Sequence, residues 1–333
     1  MKPAKQVAPI DVAIIDCFYV AYRGFCSTPM LQSKAGVPTN AIHGILGAVR
    51  RMVRDLRPKA VIVAAESKTN FRYQISADYK AGRQLPELFG QQIPYIYQMC
   101  KLLGWHLLDQ EGYEADDVIA SIARRMTELK LRGVVFSTDK DIISRIGETA
   151  GIIGVFRVEK VKSLVMEPAD YQAKWGVAPS LKPEVLCLSG DSVDNIPGIR
   201  GLGEKTAVKL IQDFGSIAGI YQNLDKLKPK LRALLESPEG KEALELSRKL
   251  IQINDALPIA DAVFQPGVQQ TKELREFFLS LDMVKTAESV APADLLTQAP
   301  SPAPQTETEQ NEGSAGEEDL DPVQTGTVAS GVA

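Results

Sequence analysis

Histidine is nearly absent. The 333-residue chain has two, His43 and His106, far apart in sequence, which leaves little for a histidine-ligated metal or an imidazole-based triad. Its four cysteines (Cys17, Cys26, Cys100 and Cys187) are scattered with no C-x-x-C pair. That argues against a disulfide framework or a structural zinc site, and a reducing cytoplasm is the expected location. No apolar run approaches the roughly 20 residues needed to cross a bilayer. The polar stretch before Asp11 also lacks the layout of a secretory signal, so no membrane partner is expected. Lysine and arginine are missing altogether from Ala291 to Ala333, a segment with eight acids and almost no large apolar residue. Such a composition cannot bury enough surface to offset its ordering entropy, and residues 290–333 are expected to form a disordered acidic tail. Without the tail, 38 basic residues face 34 acidic ones, a net +4. A mildly basic body permits a nucleic-acid partner without demanding one.

What is present is an alternation of short apolar runs with helical patterns. Asp11–Asp16 (D-V-A-I-I-D), Ala60–Ala65 (A-V-I-V-A-A), His106–Leu108, Gly133–Ser137 (G-V-V-F-S) and Gly151–Phe156 read as strands. Between them, Ala41–Leu56 carries Ile42, Ile45, Leu46, Val49 and Val53 at a 3.6-residue period, and Glu114–Leu129 carries Val118, Ile119, Ile122 and Met126. Strands separated by helices imply an α/β fold with a mostly parallel sheet covered on both faces. Ligands of such sheets gather at the carboxyl ends of the strands. After about residue 167 the pattern becomes helical throughout, with short Gly/Pro turns. Residues 66–92 are polar, basic and weakly periodic, and are expected to be an exposed, part-helical excursion.

Acids stand where the strands end. Asp16 closes the first strand. Asp139 and Asp141 follow G-V-V-F-S directly, and Glu114, Asp116 and Asp117 open a helix. Asp191 and Asp194 lie three apart in G-D-S-V-D-N. Carboxylate oxygens suit hard divalent cations such as Mg²⁺, and two ions about 3.5–4 Å apart stabilise both oxygens exchanged in phosphodiester cleavage. Each cluster has a plainer explanation. Acids at a helix start cap free N–H groups and favour the helix dipole, and G-D-S-V-D-N suits an Asx turn. The concurrence of four clusters in one α/β frame, with no histidine or cysteine competitor, favours a metal site.

Two further segments point to phosphate. In N-I-P-G-I-R-G-L-G-E-K-T-A (195–207), Gly198, Gly201 and Gly203 allow backbone N–H groups to converge on an anion just before a helix that carries Lys205, Thr206 and Lys209. The alternative is an ordinary interhelical turn. In the 66–92 excursion, Lys68, Arg72, Tyr79, Lys80 and Arg83 interleave cations with rings, a combination that suits a nucleic-acid strand as well as it suits a solvated loop. Tyr22 and Arg23 follow Asp16 closely enough to add a stacking ring and a phosphate clamp, although Tyr22 equally suits a core.

D-C-F-Y-V-A-Y-R (16–23), F-R-Y-Q-I-S-A-D-Y-K-A-G-R (71–83), E-G-Y-E-A-D-D-V-I-A (111–120), S-T-D-K-D (137–141) and G-D-S-V-D-N-I-P-G-I-R-G-L-G-E-K-T-A (190–207) together resemble the 5′-3′ exonuclease and flap endonuclease family. The resemblance runs in order from about residue 11 to 285. It implies a PIN-like catalytic domain over residues 1–166 with a helical arch at about 66–92, and a helical DNA-binding lobe over 167–289. A helix-three-turn-helix element at about 186–222 is implied within that lobe. The implied activity is metal-dependent cutting of 5′ flaps and 5′ ends of DNA, as in primer removal and repair, by a monomer using Mg²⁺, with Mn²⁺ able to substitute. Carried over by motif, Asp16, Glu114, Asp116, Asp117, Asp139, Asp141, Asp191 and Asp194 resemble the carboxylates of a two-ion site. Lys80, Arg83 and Arg23 resemble residues that engage the scissile phosphate. Gly198, Gly201, Gly203 and Lys205 resemble a duplex-backbone clamp, and Tyr22, Arg72, Tyr79, Thr206 and Lys209 join the expected DNA contacts.

One departure stands out. The family ends its second strand with an aspartate, whereas this chain reads V-A-A-E-S-K, with Ala64 or Ala65 in that place and Glu66 adjacent. Strand alternation puts Glu66 on the face of Ala64, where it is expected to serve as a longer substitute ligand, with one ion held less firmly. The competing functions are a catalytically weakened DNA-structure-binding protein of the same fold and a PIN-type ribonuclease.

Overall fold

The computed structural model describes residues 1–147, 151–159 and 162–291. The acidic segment expected to be disordered lies outside the described residues from 292 onward. Seven strands form one sheet: β1 (Lys2–Pro3), β2 (Val12–Asp16), β3 (Ala60–Ala64), β4 (His106–Leu108), β5 (Gly133–Phe136), β6 (Ile152–Glu159) and β7 (Lys162–Met166). Their spatial order is β1-β7-β6-β5-β2-β3-β4. The centre is parallel, β3 and β5 flanking β2, while β7 pairs antiparallel with both β6 and β1. β2, β3 and β5 are buried along their whole length, which is why they read as continuous apolar runs and not as alternating ones.

Around the sheet lie α1 (Cys17–Ser27), α2 (Asn40–Leu56), α3 (Arg72–Ile75), α4 (Glu87–Gly90), α5 (Ile93–Leu102), α6 (Ala115–Glu128) and α7 (Lys140–Ile143). The chain continues through α8 (Pro168–Trp175), α9 (Lys182–Ser189), α10 (Glu204–Phe214), α11 (Ile217–Gln222), α12 (Pro229–Glu236), α13 (Pro238–Ile251), α14 (Thr271–Ser280) and α15 (Val284–Glu288). Alternation sorts the sheet into two faces. Ala13, Ile15, Val61, Val63, Val134 and Phe136 pack under α1, α2 and α5. Val12, Ile14, Ile62, Ala64 and Val135 pack under α6. A third core, with Val185, Leu188, Ala207, Leu210, Ile220, Leu235 and Leu250, holds α9 to α13 together.

Three differences from the sequence reading have physical causes. The polar N-terminus is an edge strand, because Lys2 and Pro3 pair with Val165 and Leu164. The last part of the helical region reaches the sheet. Leu274, Phe277 and Phe278 of α14 return to the core beneath α1, α2 and α5, and Met1–Ala293 form one compact unit. The 66–92 excursion is exposed without a break only over residues 81–88. Before that stretch Arg72 and Tyr79 are each 2% exposed, and after it Phe89 is anchored against Phe18, Tyr22 and Phe25.

Candidate metal centre and nucleic-acid interface

The register of the sheet builds the site. Asp16 pairs with Ala64 and continues the Val12–Ile14 face, so its carboxylate emerges beneath the N-terminus of α6. Ser137, one residue past β5, donates its hydroxyl to Asp16 Oδ2 at 2.8 Å and accepts the Asp139 N–H at 3.1 Å. Asp16 also caps α1 through the Tyr19 N–H at 3.1 Å, and Asp139 caps α7 through the Asp141 N–H at 2.9 Å. Both acids are thus fixed by the turns that end their strands.

Asp116, Asp139 and Asp141 each offer an oxygen within 4.8 Å of the others. Burial drives the Asp116 carboxyl well above the usual carboxylate range, with the charge of Asp139 adding to it. Burial and Asp139 push Asp141 up to about 8, with Asp194 and Asp191 contributing. Asp16 is pushed up to about 6, again chiefly by burial, against the opposing Ser137 hydrogen bond. An all-carboxylate donor set crowded in this way fits a hard divalent cation, whose charge would relieve the repulsion. The structure therefore brings Asp16, Asp116, Asp139, Asp141 and Asp194 into one acidic basin. Asp191 stands at its rim, its Oδ1 holding the Val193 N–H at 2.9 Å in an Asx turn.

Cations line this basin. Lys80 pairs with Glu114 and Arg83 with Asp194, while Lys140 reaches Asp191 at 3.1 Å. Burial works against the charge on Lys80 and Arg83, but the surrounding acidic groups, Glu114 foremost for Lys80 and Asp194 for Arg83, together outweigh it and raise both pKa values. The Lys80 N–H bonds the Asp194 carbonyl at 3.1 Å, and Asn195 Nδ2 bonds the Asp78 carbonyl at 2.8 Å. These bonds dock residues 78–83 on the basin. Lys80 and Asn195 both take left-handed backbone angles, φ +54° and +55°, at that junction. Glu66 faces the same basin. Its carboxyl lies near the Ala115 N–H and beside Glu114, Lys80 and Asp16, and burial followed by the Glu114 charge pushes it up to about 7.

Asp117 and Arg72 are placed otherwise than expected. Asp117 is completely buried and grips Arg72 through both oxygens, at 2.8 and 2.9 Å. It also takes the backbone N–H of Glu114, so it serves the capping of α6. Tyr79, expected as a DNA contact, instead donates its hydroxyl to Glu114 Oε2 at 3.0 Å. Tyr22 lies edge-on to Phe89 with centroids 5.2 Å apart, and the Arg23 guanidinium bonds the Val158 carbonyl at 3.0 Å.

In the Gly-rich turn the glycines divide. Gly198 is required from within: at φ +59°, a Cβ there would stand 2.1 Å from the Gly190 nitrogen. Its N–H is already taken by Ser247 Oγ at 2.9 Å. Gly201, Gly203, Lys205 and Thr206 are exposed, with Gly203 as N-cap of α10. Their convergence at a helix start suits an anion. Lys209 is exposed and shared with Asp213 at 3.1 Å.

The sequence reading did not single out Ser137 or Lys140. The first is a small hydroxyl without a motif of its own, and the second was visible between the two aspartates of S-T-D-K-D. It also missed Lys182, which is 1% exposed, lies over the Trp175 ring, and pairs with Glu204 at the start of α10.

Similarity to known proteins agrees with this geometry. Residues 11–176 match the model of the 5′-3′ exonuclease N-terminal resolvase-like domain, and residues 177–273 match that of the 5′-3′ exonuclease C-terminal SAM fold. The chain is 38% identical over 251 residues to a 5′-3′ exonuclease of Aquifex aeolicus, covering 74% of this chain and 82% of that protein. It is 34% identical over 272 residues to the thermostable DNA polymerase I of Thermus thermophilus, covering 81% of this chain but 32% of the polymerase. The fold matches the bacteriophage T5 flap endonuclease, solved with DNA and metal ions, at a TM-score of 0.56 and 19% identity, over 86% of this chain and all of that one. The two family models together cover most of the chain and define a nuclease of the 5′-3′ exonuclease kind. The chain belongs to the 5′-3′ exonuclease family.

Proposed function

We propose that this protein is a metal-dependent, structure-selective nuclease that hydrolyses DNA phosphodiester bonds at 5′ ends and 5′ flaps. The observation that carries this reading is the convergence of Asp116, Asp139 and Asp141 within 4.8 Å at the carboxyl ends of β2 and β5, with cations facing them. Mg²⁺ is the proposed cofactor, with Mn²⁺ able to substitute. Bound there, a divalent ion supplies Lewis acidity to a phosphodiester and lowers the pKa of water. Asp116, Asp139 and Asp141 would hold a first ion, helped by Asp16, and Asp194 and Asp191 a second. Glu66 would stand in part for the aspartate missing at Ala64 or Ala65.

Lys80 and Arg83 are the proposed phosphate contacts. Each is held by a carboxylate from which an incoming phosphate can take it over. Gly201, Gly203, Lys205, Thr206 and Lys209 would hold the duplex backbone without reading sequence. Residues 1–166 are the proposed catalytic domain and 167–289 the proposed DNA-binding lobe, acting as a monomer. The test is incubation of the purified protein with labelled 5′-flap DNA and matched single-stranded RNA, in Mg²⁺, Mn²⁺ or EDTA. Cleavage of the flap in either metal but not in EDTA is expected. Preferential cutting of RNA, or flap binding without cutting, would overturn the reading.

A further inference from the structure

The Arg72–Asp117 pair lies outside the cluster that suits a metal, and its geometry assigns it a different task. Five oxygens lie within 3.0 Å of the three guanidinium nitrogens of Arg72: both of Asp117, Glu114 Oε2, and the carbonyls of Leu250 and Gln252. That matches the five N–H donors of an arginine, so Arg72, 2% exposed, has none left for a phosphate. Asp117 is saturated as well. Its two oxygens accept from Arg72 twice, from the Glu114 N–H at 3.1 Å and from the Asn254 N–H at 2.8 Å. About four acceptor sites are available on a carboxylate, and none remains for a cation.

The pair joins three parts of the chain. Arg72 comes from the root of the excursion and Asp117 from the first turn of α6. Leu250 and Gln252 close α13, where a cation also complements the helix dipole. Glu114 sits at the centre, its Oε2 against Arg72 and Tyr79, its Oε1 against Lys80.

We propose that Arg72 and Asp117 are positioning residues of the nuclease. Their buried fork holds Glu114, and through it Lys80, in place over the acidic basin, and ties that basin to the end of α13. This inference rests on the nuclease reading above.

The experiment compares wild type with Asp117→Asn, Arg72→Met and Arg72→Lys, each normalised to its folded fraction. Steady-state flap cleavage gives kcat and KM, flap-DNA affinity is measured in EDTA, and Mn²⁺ affinity is measured by calorimetry. Asp117→Asn and Arg72→Met are expected to lower kcat by about tenfold or more with KM little changed. DNA and Mn²⁺ affinities are expected to stay within about twofold, and Arg72→Lys to recover part of the rate. A double variant combining Asp117→Asn and Arg72→Met is expected to lose no more than the worse single one, as coupled residues do. A tenfold loss of Mn²⁺ affinity in Asp117→Asn would make Asp117 a ligand and overturn the proposal. Weaker DNA binding at unchanged kcat in Arg72→Met would make Arg72 a DNA contact, and unchanged kcat in every folded variant would leave the pair merely structural. Either result also overturns it. A wild-type protein that fails to cleave would overturn the nuclease reading itself, and this inference with it.

Discussion

Replacing Asp141 by asparagine is expected to stabilise the metal-free protein while removing its activity. In the folded chain the Asp141 carboxyl binds its proton up to about 8, against an ordinary value of 3.8. Between those values the folded state keeps a proton that the unfolded state has released, so rising pH drains stability across that window. At about 1.36 kcal/mol per unit, the drain reaches about 4 kcal/mol by pH 7. Burial is its largest cause, and the charges of Asp139, Asp194 and Asp191 add to it; an asparagine amide in the same place is still a buried polar group, so the substitution recovers only part of it. Taking half, about 2 kcal/mol, and about 2 °C per kcal/mol for a chain of this size, the expected gain is about 4 °C. The assay is thermal unfolding in EDTA at pH 5.5 and pH 8. Asp141→Asn should melt higher than wild type at pH 8, with a smaller gap at pH 5.5. Added Mg²⁺ should raise wild type and close the gap. A variant that melts at or below wild type at pH 8 in EDTA would refute the reasoning, because the acids would then not be crowding one another.

Other consequences are sharper in location. Lys205→Ala is expected to weaken duplex binding about equally for all sequences and to lower the salt slope by about one unit; an unchanged slope in a filter-binding titration would return this segment to an ordinary turn. Gly198→Ala, whose Cβ would meet the Gly190 backbone at 2.1 Å, should cost about 3 kcal/mol or more in denaturant unfolding. Gly203→Ala, with nothing within 4 Å of its Cβ, should cost far less, and equal losses would contradict the division drawn between the two glycines. Glu66→Ala is expected to raise the Mg²⁺ concentration for half-maximal cleavage severalfold, and a titration that overlays wild type would make Glu66 a bystander.

The parallel core was legible in the sequence because β2, β3 and β5 are buried on both faces, and only continuous apolar runs survive there. The acids at strand ends were legible for a related reason: a carboxylate at the end of a buried strand has no part in the core. Burial itself was not legible in the polar segments. F-R-Y-Q-I-S-A-D-Y-K reads as a solvated cationic loop, yet Arg72 and Tyr79 are 2% exposed because Asp117 and Glu114, more than 30 residues away, compensate them. E-A-D-D offered both capping and ligation for its acids, and sequence alone could not divide the two tasks. Asp117 faces inward and caps, while Asp116, one residue earlier, joins the basin. Likewise Gly198, Gly201 and Gly203 look equivalent in sequence, and only the approach of Gly190 separates the first from the others.

The central claim is that Asp116, Asp139 and Asp141 form the seat of metal-dependent phosphodiester cleavage. Its most direct test is the single-turnover rate on a 5′-flap duplex, at saturating protein and Mg²⁺, for wild type against Asp139→Asn, with flap affinity measured in parallel. Rapid cutting by wild type is expected, with a loss of about a thousandfold or more in the variant and affinity changed only a few fold. A variant that cuts at the wild-type rate would contradict it.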